Sequence, residues 1–281
     1  MKRYTRSLVK RTKKVRNAVI AGAILFVLAG VIMQGRTARV KKATPDTTAT
    51  AQLMQVRMDA AVPQQIIDYN GFTVNFNREH HVPNYVVWEL TAQKAAGNEK
   101  RSNRFAADPK VKGCAMLSDY KGSGFDRGHM APAADMKWSR QAMKDCFLLS
   151  NMAPQTSRLN SGRWNDLENR TRLWAQTDSQ LIVICGPVLT DRITKKIGDT
   201  GVSVPSRFFK IIYAPHLTPP QMIAFVFSNT ALPETIKNAS CSVDQIEEMT
   251  GMDFFSALPD SLENALESTN NYSQWIRTHR K

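Results

Sequence analysis

Acidic side chains are missing from the first 42 residues of this 281-residue chain, a stretch that holds twelve of its 38 Lys and Arg. Beyond it 26 basic residues face all 24 acidic ones, so the formal charge of +14 falls to +2. The basic excess belongs to a leader and is no argument for nucleic-acid binding. Cysteine is scarce: Cys114, Cys146, Cys185 and Cys241 show no C-x-x-C or Cys/His spacing, which argues against a structural zinc site. Four cysteines allow three pairings, and unpaired buried thiols are the competing reading. No internal repeat and no second linker breaks the remainder, so one domain of about 215 residues is the economical expectation.

The leader reads in two parts. Residues 2–16 are densely cationic, and Ala18 to Met33 is an uninterrupted run of 16 apolar or glycine residues. As a helix it would span roughly 24 Å at ~1.5 Å per residue, a little under a bilayer core of ~30 Å. No Ala-x-Ala cleavage pattern follows promptly, so an uncleaved signal anchor is expected rather than a signal peptide. The expected organisation is a cytoplasmic basic leader (1–17), a transmembrane anchor (18–35), a polar tether (36–61) and a folded domain (62–281) held outside the cytoplasm, in the periplasm or at the cell surface.

Charge within the domain is uneven. Lys94 to Lys144 holds eleven basic and five acidic residues, whereas Glu234 to Glu267 holds eight acidic and one basic. A positive field over the first stretch would attract a polyanion, although a mixed-charge surface accounts for the count as well. Phe72, Val74 and Phe76 alternate with polar residues, and Tyr85 to Leu90 follows a turn signalled by His80-His81-Val82-Pro83-Asn84, which predicts a strand pair. Leu181 to Cys185, Phe208 to Tyr213 and Met222 to Phe227 read as buried strands. Helices are predicted at Ser139 to Cys146, Gly162 to Gln176 and Ser242 to Thr250. Strands outnumber helices without strict alternation, which points to an α+β domain.

The chemistry concentrates in two islands. In Gly122-Ser123-Gly124-Phe125-Asp126-Arg127-Gly128-His129-Met130-Ala131-Pro132, the three glycines suggest a loop or turn that presents Arg127 and His129. Histidine suits proton removal near neutral pH, and arginine offers a fork of donors to phosphate oxygens. Alone, such a histidine is more often structural than catalytic. The second island, Asn151-Met152-Ala153-Pro154-Gln155 and Leu159-Asn160-Ser161-Gly162-Arg163-Trp164-Asn165-Asp166-Leu167-Glu168, changes that balance. Asn160, Trp164 and Glu168 are spaced i, i+4, i+8, so a helix starting early would put them on one side. An amide oxygen and a carboxylate suit a hard, hydrated cation, while a helix cap is the competing role for Asn160. Trp164, Leu167 and Trp174 read as packing. His80, His81, His216 and His279 read as surface residues.

These segments, in this order and approximate spacing, resemble the DNA/RNA non-specific endonuclease family, which includes secreted bacterial sugar-non-specific nucleases and mitochondrial endonuclease G. The resemblance runs from about Val62 to Ser268 and implies a ββα-metal finger fold with a central, largely antiparallel sheet flanked by helices. Position by position it implies His129 as general base, Asn160 as direct ligand of Mg²⁺ (Mn²⁺ substituting), Glu168 as the carboxylate holding the ion's waters, Arg127 beside the base, and Asn151 as an active-site asparagine. Arg101 best matches an upstream phosphate-binding arginine. Where the family often has a second arginine after Phe105 this chain has Ala106, which leaves Arg104 as the alternative. The implied activity is hydrolysis of DNA and RNA phosphodiesters to 5′-phosphate ends, with phosphate rather than bases contacted. Family members are often homodimers. Two other readings stay open on the sequence: a surface protein that binds nucleic acid without cutting it, and a phosphodiesterase for smaller substrates.

Overall fold

Phe208, Lys210 and Ile212 alternate along one strand with Phe209, Ile211 and Tyr213, and all six are buried, so the sheet that holds them is covered on both faces. The computed structural model describes residues 47–279. Its strands are β1 (Arg57–Met58), β2 (Gln65–Asp68), β3 (Thr73–Asn77), β4 (Val82–Thr91), β5 (Asp126–His129), β6 (Met152–Gln155), β7 (Gln180–Pro187), β8 (Lys196–Ile197), β9 (Val202–Ser203), β10 (Arg207–Ala214), β11 (Gln221–Ser228), β12 (Ser240–Cys241) and β13 (Met252–Asp253). Seven of them form one sheet in the order β12-β11-β10-β7-β4-β3-β2. Every neighbouring pair in it is antiparallel. The α+β class and the antiparallel core stand, and the strands expected from apolar runs occur as β3, β4, β7, β10 and β11.

Two cores follow from the alternation. On one face Trp88, Phe147, Trp164, Phe208 and Phe227 pack together with the 14-residue helix Asn165–Asp178. On the other, Phe209, Ile211, Phe254 and Phe255 pack beneath the helices Val243–Thr250 and Asp260–Glu267. Ser242 opens the former helix with a reciprocal capping box to Gln245, and Gly251 closes it in the left-handed region at φ 68°.

Several local expectations change. Asp126–His129 is a strand, not a loop: β5 pairs antiparallel with β6, His129 opposite Met152. The glycine signal there has another cause, because a Cβ on Gly128 would come within 2.2 Å of the Gln155 side chain. Within the expected tether, Thr47–Leu53 is helical and β1 pairs with β13. Leu53, Met54, Val56 and Met58 pack against the second core, which is what orders that stretch. His279, read as surface, has a side chain only 1 % exposed and contacts Asp178 at 2.6 Å. The four cysteines are free, three of them buried. The leader and the apolar run at 18–35 lie outside the described residues.

Candidate active site

β5, β6 and the helix Asn165–Asp178 form a ββα unit on the first face of the sheet. Between the two strands the chain makes an excursion over residues 130–151 that packs into the core. Asn151 ties its end back to its start: the side-chain carbonyl accepts from Ala131 N at 2.9 Å, and the amide donates to the carbonyls of Ala131 and Cys146 at 2.9 Å each. The resemblance implies a role for Asn151 in the site itself. Its donors are committed to backbone and it does not line the cavity, so its place is to fix the chain just after His129.

Before the long helix, Leu159–Trp164 forms a wide π-helical turn with a break at Gly162 (φ −104°, ψ −111°). The break separates residues that a regular helix would stack. Trp164 turns into the core against Phe208 and Phe227 and donates from Nε1 to the His129 carbonyl at 3.2 Å. Asn160 and Glu168 instead face a cavity of ≈ 840 Å³, lined also by Arg101, Phe105, Asp126, Arg127, His129 and Arg172. Asn160 does not cap the helix; its Nδ2 donates to Asp126 Oδ2 at 3.0 Å. Asp126 Oδ1 accepts from Ser157 at 2.8 Å.

His129 is 8 % exposed, and its Nε2 has no hydrogen-bond partner. Burial, then the charges of Arg101 and Arg127, push its pKa down to about 3, so the imidazole is neutral at ordinary pH. Its ring sits 5.0 Å from Phe147 and 5.6 Å from Phe105, centre to centre. The same two rings carry the arginines: the Arg127 guanidinium lies 4.2 Å from Phe105, and that of Arg101 5.0 Å from Phe147. Phe105 meets Phe147 because Ala106 N donates to the Phe147 carbonyl and Leu149 N to that of Ala106, at 3.3 and 2.8 Å. Arg101 lines the cavity and Arg104 does not.

Beneath the cavity is a charged network that the sequence did not disclose. Arg172 donates to Asp135 Oδ1 at 2.8 Å, and Trp88 Nε1 donates to Asp135 Oδ2 at 3.1 Å. Removing one member of such a buried pair costs on the order of 3–5 kcal/mol. Lys210 is 1 % exposed, with Nζ 4.2 Å from the Trp164 ring and 5.5 Å from that of Trp88. Burial raises the Glu168 carboxyl to about 7, with Lys210 the largest influence in the opposite direction. Of these, Arg172 follows Glu168 by four residues on one helix, a spacing that signals a shared face. Asp126 stands inside the first island. Asp135 sits in the turn Ala133–Met136 and Lys210 in β10, and neither carries a local signal.

The arrangement has a defined chemical capacity. Four cationic side chains (Arg101, Lys121, Arg127, Arg172) and two carboxylates (Asp126, Glu168) line the cavity, which suits a phosphodiester. With its NH₂ held by Asp126, the Asn160 amide keeps its carbonyl oxygen without a hydrogen bond from the described residues. That oxygen and the Glu168 carboxylate fit a hard cation that retains most of its waters.

Comparison with known proteins agrees. Residues 49–261 match the family model described as DNA/RNA non-specific endonuclease. The chain is 30% identical over 256 residues to the human mitochondrial nuclease EXOG, covering 85% of this chain and 70% of that protein. It is 33% identical to the mouse EXOG over 69% of this chain and 57% of that one, so the match spans little more than half of the mouse relative. A solved structure titled as the EndoG/EndoGI complex aligns with a TM-score of 0.67 and 27% identity over 77% of this chain and 95% of that one. The relatives named here are mitochondrial nucleases, and among the described residues no helix is long and apolar enough to cross a membrane. These findings do not fit a membrane-anchored, extracytoplasmic protein, and that expectation is corrected. Family model, relatives and fold agree, and the chain belongs to the DNA/RNA non-specific endonuclease family.

Proposed function

We propose that the protein hydrolyses phosphodiester bonds of DNA and RNA with little regard to base, using Mg²⁺ (or Mn²⁺) and leaving 5′-phosphate ends. The observation that carries this reading is a neutral His129 lining the same cavity as Asn160 and Glu168. His129 takes a proton from the water that attacks phosphorus, and as the P–O3′ bond breaks the departing 3′ oxygen takes up a proton from solvent. Arg101 and Arg127, held on their aromatic rings, receive the non-bridging oxygens. Asn160 would hold the metal directly and Glu168 through water, Asp126 fixing which end of the amide points to it. When bound, the ion would supply positive charge where the phosphate and the departing oxygen become more negative. Asn151 positions the chain after His129 and touches no substrate.

The test is cleavage of plasmid DNA and of a structured RNA by the purified protein with Mg²⁺ and with EDTA. Metal-dependent cutting is expected, slowed about 10²–10⁴-fold in His129→Ala. Ends that accept radiolabel only after phosphatase treatment would confirm the 5′-phosphate. Equal metal-dependent rates for wild type and His129→Ala would refute the role of His129. Stable retention of uncut DNA by the wild type would replace cleavage by binding.

A further inference from the structure

The acidic stretch at the C-terminal end has no part in the nuclease site. On the opposite face of the sheet, a carboxylate oxygen from each of Asp244, Glu247 and Glu267 lies within 4.8 Å of the other two. Asp244 and Glu247 are one turn apart on the helix Val243–Thr250, and Glu267 is the last residue of the helix Asp260–Glu267. Acidic clusters on surfaces are common and need no ligand. This one differs in Glu267, which is 4 % exposed and whose Oε1 has no hydrogen-bond partner. It also sits at a helix C-terminus, where the backbone carbonyls already disfavour a negative charge. Glu247 Oε1 accepts from Phe254 N at 2.8 Å, which fixes that carboxylate in the cluster. The nearby ion pair from Arg57 goes to Asp253, and no cation of the described residues pairs with Asp244, Glu247 or Glu267.

We infer that Asp244, Glu247 and Glu267 bind a hard divalent cation, Ca²⁺ by preference, which ties the two helices together over the second core. Three oxygen donors, one from an exposed Asp244 beside solvent, leave positions for water, and Ca²⁺ accepts such an irregular set more readily than Mg²⁺. Burial, followed by the charges of Glu247, Glu263, Asp244 and Asp253, pushes the Glu267 carboxyl up to about 9, a measure of how poorly the bare cluster tolerates its own charge. The ion would act on stability rather than on chemistry, because the nuclease residues lie on the other face.

Calorimetric titration of CaCl₂ into the metal-stripped full-length protein, paired with thermal melts, tests this. Asp244→Asn is the safe variant, since Asp244 is exposed, and Glu267→Gln is the second. Each is expected to bind one Ca²⁺ fewer per chain than wild type, whatever the nuclease site takes up. With Ca²⁺ about 100-fold above its dissociation constant the wild type should melt roughly 5–10 °C higher, and neither variant should follow. Cleavage of DNA at saturating Mg²⁺ should be unchanged in Asp244→Asn. Equal Ca²⁺ stoichiometry and equal melting shifts in wild type and Asp244→Asn would overturn the site.

Discussion

Asn160 donates from Nδ2 to Asp126 Oδ2 at 3.0 Å, and this one bond settles which end of the amide is offered to the cavity. The acceptor belongs to the strand that carries His129, the donor to the turn ahead of the long helix. In the proposed mechanism this single carboxylate would link the metal ligand Asn160 to the strand that carries the base.

Asp126→Ala should free the Asn160 amide to rotate. We expect the Mg²⁺ concentration for half-maximal cleavage to rise about 10–100-fold, the usual effect of losing a group that orients a ligand. The rate at saturating Mg²⁺ should fall much less than in His129→Ala. A metal titration of the cleavage rate decides the matter, and an unchanged midpoint would remove Asp126 from this role.

Arg101 and Arg104 should separate in their salt dependence. Arg101 lines the cavity and Arg104 does not. Loss of one phosphate contact lowers the magnitude of the log–log salt slope by ~1, so Arg101→Ala should show that change and Arg104→Ala should not. The measurement is kcat/KM on long DNA across a salt series.

The pH dependence of metal use should follow Glu168. With its carboxyl raised to about 7, it is neutral below that value and a poor partner for a cation. Lowering the pH from about 8 to about 6 should therefore raise the Mg²⁺ requirement, approaching tenfold per unit below the midpoint. The positive charge of Lys210 lowers this pKa, so Lys210→Met should shift the window to higher pH. Glu168→Gln should abolish the dependence. Metal titrations at several pH values give the readout, and a flat wild-type profile would contradict it.

Much of this architecture is visible in the residues, for reasons that differ by element. The buried strands announce themselves because β7, β10 and β11 are short apolar runs, and the capped helix after Ser242 because its chemistry is local. His129, Asn160 and Glu168 come together as the two islands suggested. What misleads is glycine: Gly128 reads as a loop signal, yet it serves the close approach of Gln155 across a hairpin. The regular i, i+4, i+8 face fails at Gly162, where the turn breaks and sends Trp164 inward. His279 looks terminal and exposed because its partner, Asp178, is 101 residues away. Lys210 lies within an apolar run, and only the packed sheet reveals that its charge ends between two indoles.

The excursion over residues 130–151 bears on how the base is held in place. Closing a hairpin around a connection of this length costs roughly 2 kcal/mol more in chain entropy than closing it around a two-residue turn. Met130, Met136, Met143, Phe147 and Leu149 are all buried, and burial of such side chains contributes about 1.5–3 kcal/mol each, which more than offsets that cost. The register of His129 against Met152 therefore leans on the packing of the intervening segment, and a change that loosens that segment reaches the base from a distance.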